Sequence, residues 1–185
     1  MKTSATNRAS SRAAPAHLRA RVNMVRFLCV FMVCVGIGFS LLQASFSRPA
    51  VNGFTAILVK GSAFLVRIFG GHAVAQQSLL RNPLTGFAIA VEDTCNASNV
   101  VILLWAAVLA FPAGWGQKVK GIAIGTVLLH AVNLLRIISL FYLGQYSTAW
   151  FDFAHLYVWE GLMMVVTLVL FWAWAQDTAE AAPPA

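Results

Sequence analysis

The chain has 185 residues, of which 59% are hydrophobic and only 10% are charged, and its mean hydropathy is +0.75. Soluble domains carry about a quarter charged residues, so this composition excludes an ordinary soluble domain. It predicts a single-domain integral membrane protein that is embedded in the lipid bilayer. The net charge is +7. We expect no nucleic-acid partner, because the basic N-terminal segment lacks interleaved aromatic residues and leads directly into an apolar run.

The two ends of the chain are polar. Residues 1–22 are rich in Ser, Ala and Arg and contain no acidic residue. We predict a disordered cytoplasmic tail whose cations orient the first span, although an organellar transit peptide has a similar composition. Residues 177–185 are also predicted to be disordered. The membrane domain is therefore expected to cover residues 23–176.

Four apolar runs are candidates for membrane-spanning helices. They cover residues 27–46, about 95–113, 121–143 and 156–175. The first is too long for a signal-peptide core and lacks a good cleavage site, which favours a retained helix. The second reaches spanning length only if its helix begins near Cys95. A mainly α-helical membrane protein with about four spans is the predicted fold class.

The segment between the first two spans, about residues 47–94, is predicted to be an insertion on the outer face. Lys60 and Arg67 lie seven positions apart, on one face of a helix over residues 51–70. Two cations are costly inside a span, so an interfacial helix is expected there. Residues 72–92 alternate in polarity around a turn-like cluster at 82–85, a pattern that predicts a small β-hairpin.

The distribution of cations predicts the topology. A basic N-terminus is expected in the cytoplasm. With four spans, Lys118 and Lys120 also fall on the cytoplasmic side, and so does the C-terminus. A fifth span over residues 51–70 would place both lysines outside. Four spans are therefore the more consistent arrangement.

Three residues with reactive or charged side chains lie near the outer ends of predicted spans: Cys95, Arg136 and His155. The chain has no CxxC motif, so a redox motif or zinc ribbon is not favoured. Cys29 and Cys34 lie inside an apolar run, where cysteine usually acts as a small hydrophobic residue. Cys95 differs because its neighbours are polar.

The segment EDTCNASN around Cys95 is typical of a helix start, since Asp93, Thr94 and Asn96 are all capping residue types. A thiol in the first turn is favoured as thiolate by the positive end of the helix, whereas the preceding acidic residues oppose this effect. His155 is a candidate general base and acid for Cys95. The alternative is a partly buried structural thiol.

Arg136 is predicted to lie within a span, where a guanidinium is costly and stays protonated. It must therefore face the bundle interior, a partner or water. It either binds a carbonyl oxygen or developing oxyanion, or forms a structural ion pair with Glu160 at a similar depth. His130 and Asn133, on the same predicted helix, are expected to satisfy buried polar contacts. These two residues and Glu160 are the candidates for supporting the site.

Three motifs resemble the exosortase/archaeosortase superfamily of membrane transpeptidases: EDTCNAS before a span, NLLRI within the next span and a histidine that opens the last. The resemblance covers about residues 27–175, and the short chain with one outer hairpin is similar to the compact bacterial branch, such as exosortase H. It implies catalytic roles for Cys95, Arg136 and His155. One departure is Ala97, which stands where the family often has glycine.

The resemblance also implies substrates and a location. Substrates would be exported proteins that end in a short motif, a spanning helix and a basic tail. The protein would lie in the bacterial inner membrane with its active site on the outer, periplasmic side.

Three functions stay open at this point. The first is a cysteine transpeptidase or protease that acts through a thioester at Cys95. The second is a non-enzymatic membrane assembly or export subunit, in which Arg136 and Glu160 only join two spans. The third, a thiol-redox protein, is disfavoured because the outer face has no second cysteine. A metal site of Cys95, His155 and His130 has no ligand-spacing signature, so no metal or organic cofactor is expected.

Overall fold

The computed structural model describes residues 16–92 and 95–180. It is mainly helical, as predicted, with one small sheet. The helices are α1 (Ala16–Gln43), α2 (Arg48–Ile68), α3 (Ser98–Ala110), α4 (Trp115–Tyr146), α5 (Thr148–Phe153) and α6 (Glu160–Glu180). A π-helical turn, Ala154–Trp159, joins α5 to α6. The strands are β1 (Val74–Gln76), β2 (Leu79–Arg81) and β3 (Ala88–Ala90).

Helices α1, α3, α4 and α6 form a bundle, in which α3 packs against the other three. The beginning of α4 lies beside the end of α3, where Lys118 Nζ donates a hydrogen bond to the Leu109 carbonyl at 2.6 Å. It also lies beside the end of α6, where Trp174 Nε1 donates to the Gln117 carbonyl at 3.0 Å. Both α3 and α6 therefore run antiparallel to α4.

Helix α2 packs along the second half of α4 and against the sheet. Gly61 lies at this contact, where a β-carbon would be in ordinary van der Waals contact with the Leu134 side chain, at 3.7 Å. The buried face of α2 includes Thr55, and the opposite face exposes Lys60 and Arg67. The two cations thus share an exposed face, as the sequence spacing predicts.

Among the residues that the structure describes, four helices are long and apolar enough to cross a membrane: residues 23–43 of α1, the whole of α2, the whole of α4 and the continuous helix over residues 148–179. The number of candidate membrane-spanning helices agrees with the predicted four, but they are not the same four segments. Helix α2 has the length and composition of a span, whereas the sequence predicts an interfacial helix there. Helix α3 is shorter than the predicted second span.

The length of α3 follows from its two ends. It contains 13 residues, which correspond to about 20 Å, less than the roughly 30 Å of a hydrocarbon core. The helix start near Cys95 that a spanning length requires is not observed, because Ala97 has left-handed backbone angles and the helix starts after it. At the other end Phe111 is extended, as expected for a residue that precedes proline, here Pro112.

The outer segment forms a three-stranded antiparallel sheet in the order β1-β2-β3, where the sequence predicts only a two-stranded hairpin. The first half of the segment folds on itself, because its polar Gln-Gln-Ser sequence forms a tight turn in which Gln77 has a φ of +53°. Strand β3 then pairs with β2, so that Leu80 lies opposite Ile89. Both side chains are buried in a core cluster with Phe141 of α4, which fixes the sheet at the end of that helix.

Helices extend into both of the predicted disordered tails. Helix α1 starts at Ala16, so residues 16–22 are helical, and α6 ends at Glu180, so residues 177–180 are helical too. The remaining parts of both predicted tails, residues 1–15 and 181–185, lie outside the described residues.

Candidate active site

Cys95 and His155 are in contact. The Cys95 Sγ atom lies 3.0 Å from His155 Nε2, although the two residues are 60 positions apart in the chain. Both side chains are partly buried. A thiol and an imidazole at this distance can exchange a proton directly. The fold therefore brings together two of the three residues for which the sequence suggests catalysis.

His155 lies in the π-helical turn between α5 and α6. Such wide turns are rare and occur frequently at functional sites. The imidazole ring stacks on Phe151, with ring centroids 5.6 Å apart and an angle of 26° between the planes. The turn ends at Trp159, and the next residue, Glu160, begins α6 and faces Arg136. One short segment therefore carries the partners of both Cys95 and Arg136.

The loop that carries Cys95 is anchored to α2. The side chain of Asn96 is fully buried, and its Nδ2 atom donates a hydrogen bond to Thr55 Oγ1 at 3.1 Å. Its Oδ1 atom accepts a hydrogen bond from the Ser98 backbone N–H at 2.9 Å. These two hydrogen bonds hold Asn96, the residue next to Cys95, in place. Sequence reasoning identified Asn96 only as a capping residue type.

Ala97 adopts a left-handed conformation with φ +64° and ψ +4°. Glycine reaches this region without strain, whereas a residue with a β-carbon is disfavoured there by about 1–2 kcal/mol. The chain therefore has a glycine-like backbone at Ala97. As a result Cys95 lies in the turn before α3 rather than in its first helical turn, so that prediction is wrong. Asp93 and Thr94, the other predicted capping residues, lie outside the described residues.

Arg136 is buried, with 4% of its side chain exposed, and its Nη2 atom lies 3.5 Å from Glu160 Oε2. The ion pair considered in the sequence analysis is therefore present. Glu160 is much more exposed, at 62%. The Nε atom of Arg136 is buried and has no hydrogen-bond partner among the described residues. The guanidinium thus has donor capacity beyond its contact with Glu160.

Asn133 and His130 lie on the same helix as Arg136. Asn133 is fully buried, and neither its Oδ1 nor its Nδ2 atom has a hydrogen-bond partner within residues 16–92 and 95–180. The Nδ1 atom of His130 is also buried without a hydrogen-bond partner among the described residues. The imidazole ring packs edge-on against Phe54, with ring centroids 4.9 Å apart. The expected buried polar contacts are therefore not seen for Asn133 or for His130 Nδ1 among the described residues. They instead make the interior beside Arg136 polar.

The Cys95–His155 pair opens into a cleft of about 460 Å³ between strand β3 and helix α5. Ala88 and Ala90 line the strand side, and Phe151 and Asp152 line the helix side, among other residues. Sequence reasoning missed all four. Asp152 gave the only signal, as a lone carboxylate in an apolar stretch three positions before His155. The alanines carry no chemical signal, because only the strand pairing brings them to the site.

No protein-family model, curated protein or solved structure matches this chain. Within residues 16–92 and 95–180, no group of three or more His, Cys, Asp and Glu side chains has the arrangement of a metal site.

Proposed function

We propose that this protein is a membrane cysteine transpeptidase or protease that processes the C-terminal signals of exported proteins. The single observation that carries the proposal is the 3.0 Å contact between Cys95 Sγ and His155 Nε2 at the wall of a cleft. Buried Arg136 contacts Glu160, which lies five positions after His155 in the chain, and we assign to its guanidinium the permanent positive charge that the reaction needs. The resemblance of the three motifs to the exosortase/archaeosortase superfamily supports the same reaction class.

In the first half of the reaction, His155 Nε2 takes the proton of the Cys95 thiol, and the thiolate attacks the carbonyl carbon of the scissile peptide bond. The carbonyl oxygen becomes negatively charged, and Arg136 stabilises this charge. The C–N bond then breaks, and the protonated His155 donates its proton to the leaving amine. The products of this half are the released C-terminal segment and a thioester on Cys95.

In the second half, an incoming amine or water molecule attacks the thioester carbonyl. His155 removes the proton of this nucleophile, and the C–S bond breaks. The sulfur leaves as thiolate and recovers its proton from His155, which restores the starting state. An amine gives transfer and water gives hydrolysis.

The proposed partners and location follow from the same reasoning. Substrates are exported proteins with a C-terminal motif, a spanning helix and a basic tail. The protein lies in the bacterial inner membrane, with both termini in the cytoplasm and the site on the outer side. The apolar helices support the membrane location, and the sidedness rests on the distribution of cations along the sequence.

A second candidate function is a non-enzymatic membrane assembly or export subunit. The observation that favours it is the Arg136–Glu160 ion pair, which joins α4 to α6 without any need for the thiol. In such a protein, Cys95 would tolerate replacement by serine or alanine.

The test is processing of a co-expressed exported protein that carries the C-terminal motif, helix and basic tail. We expect Cys95→Ala to abolish processing while the protein still accumulates in the membrane. The matched controls are Cys29→Ala and Cys34→Ala, which remove thiols of α1 and should be nearly silent. Full processing by Cys95→Ala would favour the assembly subunit instead.

A further inference from the structure

Strand β3 has one side paired and one side open. The Asn82 N–H donates to the Phe87 carbonyl, and the Val91 N–H donates to the Ser78 carbonyl, both at 2.8 Å. In an antiparallel pair, every second residue exchanges hydrogen bonds with the partner strand. Phe87, Ile89 and Val91 therefore direct their backbone groups toward β2.

The residues between them direct their backbone groups the other way. The N–H and C=O groups of Ala88 and Ala90 face the free edge, because β3 is the last strand of the sheet. Both alanines are exposed, and both line the cleft that contains Cys95 and His155. An unpaired strand edge is a ready template for another chain, and here it leads to a thiol–imidazole pair.

The volume and lining of the cleft are compatible with an extended peptide. Thr148, Phe151 and Asp152 of α5 form the wall opposite β3. The volume of about 460 Å³ lies within the range of ligand-sized sites. Small alanine side chains on the edge strand leave room for the side chains of an added strand. Backbone hydrogen bonds supply affinity in this mode of recognition, and pockets for alternate side chains supply specificity.

We propose that the substrate polypeptide binds as an added β-strand on the free edge of β3, so that its scissile carbonyl reaches Cys95. The chain runs from Ala88 through Ala90 to Cys95, and the acyl part of the substrate also ends at Cys95. The substrate strand is therefore parallel to β3. The segment beyond the scissile bond, which carries the spanning helix, continues away from the sheet. This inference rests on the proposed function, because it assigns the substrate-binding mode of that same site.

The test uses purified full-length protein and a series of N-acetyl-tetra-alanine chloromethyl ketones, which alkylate cysteine. One probe is unmodified, and each of the others carries a single backbone N-methyl group at one position. The rate of Cys95 alkylation is read by mass spectrometry of the Cys95 peptide. Iodoacetamide, which has no peptide backbone to pair, reports the reactivity of the thiol alone. We expect N-methylation to slow the reaction about tenfold at alternate positions, the scale of one lost hydrogen bond.

Proline variants test the protein side of the same pairing. Ala88→Pro and Ala90→Pro each remove a cleft-facing N–H without removing a donor to β2, a placement that edge strands tolerate. The matched control is Ala75→Pro on β1. Ala75 lies opposite Leu80, whose backbone groups face β3, so its N–H also points away from β2. We expect the first two variants to slow alkylation of Cys95 by the peptide probe about tenfold and to leave the rate of alkylation by iodoacetamide unchanged. The control should leave both alkylation rates unchanged.

The outcomes separate this inference from the proposed function. If N-methylation shows no alternation and the three proline variants react equally with the peptide probe, strand addition is wrong, even when processing still requires Cys95. If the alternation is present but Cys95→Ala processes substrate normally, the proposed function is wrong. In that case the free edge binds peptides near a thiol that performs no chemistry.

Discussion

At the scale of single residues, Arg136 has a side chain that is 4% exposed and a carboxylate partner 3.5 Å away. Lysine at this position keeps the charge but loses the planar group that can donate two parallel hydrogen bonds. If Arg136 stabilises the oxyanion, Arg136→Lys should fold and yet lose at least about 100-fold in rate, the scale of removing one oxyanion donor. The measurement is substrate processing per unit of membrane-inserted protein.

Glu160→Gln is the control for this prediction, because it removes the partner charge and leaves the guanidinium in place. If Arg136 only joins α4 to α6, lysine should substitute well and Glu160→Gln should be the more damaging change. Near-normal processing by Arg136→Lys would therefore assign Arg136 to the structure alone.

Ala97 provides a second test at this scale. Its φ of +64° suits glycine, so Ala97→Gly should relieve strain and stabilise the protein by up to about 1 kcal/mol. The matched control is Ala106→Gly, also at a buried alanine but inside helix α3, where glycine should destabilise by about 1 kcal/mol. Thermal unfolding in detergent compares the two variants. Equal destabilisation by both would mean that Ala97 has an ordinary backbone conformation.

At the scale of secondary-structure elements, the π-helical turn sets the spacing between His155 and Glu160. Deleting Tyr157, which is 69% exposed, should let the segment rewind as an α-helix, because a π-turn holds more residues than an α-turn. The two side chains would then no longer face Cys95 and Arg136 together. We expect the deletion to abolish processing, whereas Tyr157→Ala should retain it at the wild-type membrane level. A fully active deletion variant would show that the wide turn is dispensable.

The helices were largely predictable from the sequence, because long apolar runs have few alternatives to α-helix in a membrane protein. The short length of α3 was harder to predict from the sequence. It depends on the left-handed backbone at Ala97, and an alanine carries no sequence signal for that conformation. The third strand was missed because Gln77 and Ser78 form a tight turn without glycine, asparagine or proline, the residues by which hairpin turns are usually recognised.

The candidate site was predictable in its chemistry and not in its surroundings. A thiol, a guanidinium and an imidazole near the ends of apolar runs, in a chain with few charged residues, are recognisable by their type alone. The contact between Cys95 and His155 and the Arg136–Glu160 pair then depend on how α4, α5 and α6 pack. The cleft residues Ala88 and Ala90 have no distinctive chemistry. Their importance appears only from the register of β3 against β2.

At the scale of the whole molecule, the account requires the sheet and the beginning of α4 to lie on opposite sides of the membrane. In a chain without its native cysteines, a cysteine at Gln76 should react with an impermeant reagent in intact cells. A cysteine at Gln117 should react only after the membrane is opened. Gln76 lies on β1 and Gln117 near the start of α4. If α2 also crosses the membrane, the pattern of reactivity at these two positions should be reversed. That result would place Cys95 on the side of the membrane away from exported substrates.

The central claim is that Cys95 carries the substrate acyl group during the reaction. The most direct test co-expresses the protein with its substrate, quenches it rapidly with acid and measures the mass of the Cys95 peptide. The account predicts a covalent adduct equal to the N-terminal fragment of the processed substrate, linked as a thioester and released by hydroxylamine. The adduct should be absent from Cys95→Ala. Accumulation of processed substrate with no adduct on Cys95, at an unchanged rate in Cys95→Ala, would contradict the account.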